Sequence, residues 1–98
     1  MSQEKKRMKM NLADDVGEYE ALSDERKAIL NVWITCNFTS SPRALRNVTS
    51  YGLKHEFERS DEGFYVTNGQ FKAAMRKAGH KPVRYGQNWR FRIARRLQ

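Results

Sequence analysis

Thr67-Asn68-Gly69-Gln70-Phe71-Lys72-Ala73-Ala74-Met75-Arg76-Lys77-Ala78-Gly79 is the stretch that decides how the rest of this chain reads. Thr67 and Gln70 stand three apart, the spacing of a capping box. The threonine hydroxyl accepts from the Gln70 amide, and the glutamine side chain reaches back to the cap. Phe71, Ala74, Met75 and Ala78 follow at intervals of three, four and seven, which lays one apolar face along a helix. Gly79 is its C-terminal stop. The spacing predicts a helix over 68–78 whose other side carries Lys72, Arg76 and Lys77. Downstream, Trp89, Phe91 and Ile93 alternate with Arg90 and Arg92, the period of a half-buried strand. With Gly86-Gln87-Asn88 as its loop, this predicts a hairpin over about 83–93.

Working upstream, Ser23 is an N-cap, and Asp24 and Glu25 fill the first turn, where the helix dipole favours negative charge. A helix over 24–37 follows, its stripe formed by Ile29, Val32, Trp33 and Cys36 and widened by Leu30 and Ile34. Trp33 and Cys36 are expected in the core. Thr39-Ser40-Ser41-Pro42 ends that helix. Thr49 or Ser50 caps another to about Arg59, with Leu53 and Phe57 turned inward; Asp61-Glu62-Gly63 is a turn, and Phe64-Tyr65-Val66 a brief strand. Phe57, Phe71, Met75, Trp89 and Phe91 should share one core.

The order is helix, helix, short strand, helix, hairpin. It predicts a mainly α fold with a small β-hairpin: a winged helix-turn-helix forming a single domain over 21–98, behind a flexible leader over 1–20 that is lysine-rich to about Asn11 and acidic from Asp14. Ninety-eight residues suffice for one such domain and no more. No stretch resembles a signal peptide or a membrane span, so the expected location is cytoplasmic with no membrane partner. Cys36 is alone, which excludes a disulfide framework.

The formal net charge is +8, and its position says more than its size. From Gly63 onward there are nine basic residues and no acidic one, whereas every carboxylate lies earlier. A single-sign block on a folded segment is the footprint of a polyanion, because each cation that meets a phosphate releases counterions. DNA is the expected partner. Asn68, Gln70, Lys72, Arg76 and Lys77 would belong to a recognition helix, with Asn68, Gln70, Lys72 and Arg76 on or near its exposed side. The wing would bring Arg84, Arg90 and Arg92 to the flanking backbone, and Lys81, Arg95 and Arg96 are further nucleic-acid-binding candidates. Tyr85, nearest the hairpin turn, is the candidate for stacking on unpaired bases.

The residues for catalysis are missing from this pattern. His55 and His80 have no Cys, Asp or second His at ligand spacing, so no metal is expected. The glycines are isolated, so no phosphate-cradling loop exists, and no carboxylates cluster near the basic surface. The expectation is a non-enzyme with no cofactor and no small-molecule substrate.

The stretches Thr49–His55, Gly63–Met75 and Asn88–Phe91 together resemble a family of small winged-helix proteins. Phages and other mobile elements of Gram-positive bacteria carry them, often beside replication genes. The same residues resemble the small partners of the primase-polymerase of staphylococcal cassette elements. The resemblance covers roughly residues 40–93 and contains no catalytic signature. It implies binding of single-stranded DNA and a complex with a polymerase or primase subunit, hence an accessory role in DNA replication. Two other functions fit the same charge: a transcriptional regulator on duplex DNA, and an adaptor whose basic face meets protein.

Overall fold

The computed structural model describes residues 15–84 and 86–97. Most of the expected leader, and Tyr85, lie outside them. The first described element is a 3-10 helix, Val16–Ala21, with the Asp15 side chain accepting from the Gly17 amide at 2.8 Å. Tyr19 and Leu22 are buried, and the Gln70 side chain donates to the Glu18 carbonyl at 3.1 Å. The packed part of the chain therefore begins before residue 21, the boundary expected from composition.

Helix α1 spans Asp24–Asn37, capped by Ser23, whose hydroxyl accepts from the Arg26 amide at 3.1 Å. Leu30 and Ile34 are fully buried, whereas Ile29 and Trp33 are half-buried. Val32 is 58% exposed and Cys36 is also exposed, so the expected stripe is rotated toward Leu30 and Ile34. Apolar residues occupy most sides of this helix, and periodicity alone does not choose among them. The choice is tertiary: Trp33 sets its ring edge-on to Phe38, Phe57 and Phe71 at 5.6, 5.4 and 6.3 Å. Ile29, Val32 and Cys36 are left lining an apolar groove with Ser60, Asp61 and Glu62.

Where the sequence suggested only a break, the chain forms strand β1, Phe38–Ser40. The expected strand at Phe64–Val66 does not form; the segment is extended and unpaired with any described strand. Its backbone is satisfied by a helix: the Val66 amide donates to Glu58 Oε2 at 3.1 Å, and Phe64 packs edge-on against Phe57. Helix α2 spans Ser50–Glu58 and α3 spans Asn68–Lys77. Between them Gly63 crosses the end of α2 so closely that a Cβ there would meet the Phe57 and Glu58 carbonyls.

Both halves of the capping box form: the Gln70 amide donates to Thr67 Oγ1 at 3.0 Å, and the Thr67 amide to Gln70 Oε1 at 2.9 Å. At the other end the Gly79 amide bonds the Arg76 carbonyl and the His80 amide the Met75 carbonyl. That is a Schellman closure, with Gly79 at φ +93° where L-residues are strained. Strand β2, Pro82–Arg84, pairs antiparallel with β3, Arg90–Phe91, while β4, Ile93–Arg95, pairs antiparallel with β1. Arg92 joins the two pairings, since its amide donates to the Lys81 carbonyl and its carbonyl accepts from the Ser41 amide. The fold is mainly helical with a small antiparallel hairpin. Phe57, Phe71, Met75, Trp89 and Phe91 all lie in its core, with Leu30, Ile34, Phe38, Leu53, Val66 and Ile93.

Among the apolar side chains, position rather than hydrophobicity sets the expected energetics. Phe71→Ala should lower unfolding free energy by about 3–5 kcal/mol, because it empties the centre of the core. Val32→Ala should change it by less than about 0.5 kcal/mol. Urea unfolding of the two variants checks both values.

Candidate nucleic-acid interface

The first turn of α3 does not face solvent. Asn68, Gln70 and Lys72 are buried, at 4%, 9% and 3% exposure, against the expectation of an outward-facing set. Asn68 Nδ2 donates to the Gln87 carbonyl at 2.9 Å and to Asn88 Oδ1 at 2.8 Å, and its Oδ1 accepts from Ser50 Oγ at 2.8 Å. Lys72 Nζ donates to the same Gln87 carbonyl at 2.8 Å and lies 4.9 Å from the Trp89 ring. Gln70 is engaged by the cap and by Glu18. The exposed hairpin loop folds back over the start of α3, and its carbonyl at Gln87 satisfies the polar ends of the buried Asn68 and Lys72 side chains. Asn68 and Lys72 thus tie the loop to α3, while Gln70 ties the segment that precedes α1.

Arg76, Lys77, Lys81 and Arg92 do reach solvent. Arg76, Lys81 and Arg92 line one cleft together with Gly79, His80 and Pro82, and no carboxylate among the described residues lines it. Three elements build that cleft: the last turn of α3, the Schellman turn, and the bend between β3 and β4. Lys77 instead lines a separate cavity with Val16, Tyr19 and Glu20, 5.4 Å from the Tyr19 ring.

A second cleft is lined by Arg46, Asn47, Val48, Thr49 and Arg90. Arg90 is half-buried and donates to the Leu45 carbonyl at 3.3 Å, which fixes its guanidinium at the cleft edge. Arg46 escaped the sequence reading. It lies in an irregular stretch, and its only signal was a second arginine three positions earlier, at Arg43.

Arg95 is tied to Glu56 by two bonds of 2.9 Å, so its charge is locally neutralised. Arg96 is exposed and donates to the Thr35 carbonyl at 2.7 Å, an uncharged partner that leaves the cation in place. Arg84 occupies β2, opposite Arg90. Trp89 and Phe91 belong to the core, as expected, with Trp89 Nε1 bonded to the Gly86 carbonyl, and Tyr85, the stacking candidate, lies outside the described residues.

No protein family, curated protein or solved structure was found that matches the chain. Among the described residues no group of three or more His, Cys, Asp or Glu side chains could hold a metal ion, and no helix is long and apolar enough to cross a membrane.

Two titratable groups have shifted pKa values that bear on stability, His80 in the first cleft and Glu58 at the end of α2. His80 forms part of the Arg76–Arg92 cleft, yet the residue is 7% exposed and its Nδ1 is buried without a hydrogen-bond partner among the described residues. Burial, and then the nearby Arg96, hold its pKa below the ordinary 6.5. Glu58 is pulled both ways. Burial pushes its carboxyl up, but the bonds from Lys54, the Val66 amide and His55 outweigh it and leave the pKa below 4.5.

The signs agree. The unfolded chain protonates His80 more readily than the folded one, so stability rises with pH through 6.5 and the range just below it. Glu58 contributes stability above 4.5 that is lost as pH falls through its lowered folded value. Urea midpoints for the wild type should therefore rise between about pH 5.5 and 7.5. His80→Gln should flatten that rise while leaving the loss at lower pH in place.

Proposed function

We propose that this chain is a non-catalytic, single-stranded-DNA-binding protein of winged helix-turn-helix architecture, acting as an accessory in replication of a phage or other mobile element. The observation that carries the binding reading is the cleft that brings Arg76, Lys81 and Arg92 together, with no carboxylate among the described residues of its lining. Three cations from separate elements on one concave surface suit a chain of phosphates. Support for the winged-helix architecture comes from the order of elements. A strand after α1 pairs with the last strand, and a hairpin follows α3.

Support for unpaired strands over a duplex operator comes from the start of α3. A regulator reads base edges with side chains at the start of its recognition helix. Here Asn68, Gln70 and Lys72 are engaged inside the protein. What remains outside is charge, which carries no base code. The polymerase or primase partner enters through the family resemblance. The apolar groove of α1 shares no residue with either basic cleft and is compatible with such a partner.

The test is binding to single-stranded and duplex DNA of unrelated sequences over a salt series. Single strands should bind with little sequence preference, and log K should fall linearly with log salt. Replacing Arg76, Lys81 and Arg92 together by Ala should reduce the slope by about 0.7–0.9 for each phosphate that the variant no longer neutralises. An unchanged slope with an intact fold would favour the adaptor instead. A single duplex preferred by about a thousandfold, with single strands ignored, would favour the regulator.

A further inference from the structure

Two large aromatic side chains stand in water away from the core. Tyr65 is 68% exposed and Tyr51 52% exposed. They come from different segments, Tyr51 from the first turn of α2 and Tyr65 from the extended stretch before α3, yet they converge on one cation. Lys54 Nζ lies 5.0 Å from the Tyr65 ring and 5.5 Å from the Tyr51 ring. Lys54 is itself buried, and its ammonium is held by Glu58 Oε2 at 2.8 Å. Glu58 is held in turn by the Val66 amide and His55, and the His55 ring stands edge-on to Tyr51 at 4.4 Å. The two rings are thus positioned by an anchored charge rather than by burial.

Position relative to the second basic cleft adds to this. Thr49, in the lining of the Arg46–Arg90 cleft, is two residues from Tyr51. Thr49 is also the N-cap of α2, so the cleft adjoins the helix end that carries Tyr51. Trp89 and Phe91 are closed to base stacking by the core. Every base has a π-face, so an aromatic platform beside cations binds unpaired strands without sequence preference, whereas bases stacked inside a duplex cannot use it.

We infer that Tyr51 and Tyr65 form a stacking platform for unpaired bases, with Arg46 and Arg90 as the adjoining phosphate ligands. This rests on the single-strand reading above and deepens it by naming where the bases sit.

The experiment compares binding of a labelled oligothymidine and of a random duplex of equal length, at one salt concentration. It uses the wild type, Tyr51→Ala/Tyr65→Ala, Tyr51→Phe/Tyr65→Phe, and Tyr65→Ala alone. The double Ala variant should bind oligothymidine more weakly by about five- to 150-fold for each ring removed. Its duplex affinity should be unchanged, and the double Phe variant should stay near wild type, because the ring is retained. Tyr65→Ala alters one exposed side chain outside the helices and should show the single-ring loss even if the double variant folds poorly. Wild-type affinity for oligothymidine in folded Ala variants would overturn the platform and leave the single-strand reading standing. Equal losses on single strand and duplex would also overturn it. A wild type that ignores oligothymidine would overturn both.

Discussion

The carbonyl of Gln87 accepts two hydrogen bonds, one from Asn68 Nδ2 and one from Lys72 Nζ, and this junction organises the surface around it. The donors come from buried residues of the helix, Asn68 and Lys72, whose polar ends must be satisfied where they lie against the loop. Asn68 and Lys72, one turn apart on α3, both point at it. Ser50 completes the junction, with its hydroxyl donating to Asn68 and accepting from the Trp89 amide, while its own amide donates to the Trp89 carbonyl. The starts of two helices and the hairpin are thereby locked together. The strand that leaves the loop is aimed so that Phe91 and Ile93 enter the core and Arg92 falls beside Arg76 and Lys81.

That constraint separates two roles that composition runs together. The polar residues at the start of α3 hold the fold, and the cations Arg76, Lys77, Lys81 and Arg92 face solvent. A basic helix is easily taken as a uniform binding surface. Here the charge of Lys72 is turned inward against Trp89, and that of Arg95 is matched by Glu56. The positive surface that remains is smaller than the sequence total suggests, and part of it is gathered into two clefts, Arg76, Lys81 and Arg92 in one and Arg46 and Arg90 in the other.

Features set by neighbouring residues were legible in the sequence. The Thr67–Gln70 box, the Ser23 cap, the Gly79 stop and the alternation of Trp89, Phe91 and Ile93 each depend on a few adjacent positions, and each formed. What depends on distant partners was not legible. Strand β1 exists because Phe38–Ser40 meets Ile93–Arg95, more than fifty residues away. The buried side of α1 was decided by Trp33 against Phe57 and Phe71, not by the helix's own period. In the candidate site, the exposure of Arg76, Lys81 and Arg92 followed the amphipathic pattern. The burial of Asn68, Gln70 and Lys72 did not, because a loop about twenty residues later and a segment about fifty residues earlier cover them.

Nuclear magnetic resonance titration of the isotope-labelled protein with an unpaired oligonucleotide tests most directly whether the start of α3 is structural and the exposed cations bind. The side-chain signals of Arg76, Lys81 and Arg92 should shift progressively with added strand. The side-chain amides of Asn68 and Gln70 should stay in place and remain protected from exchange with solvent. The largest shifts on Asn68 and Gln70, with Arg76 and Arg92 unmoved, would contradict the account.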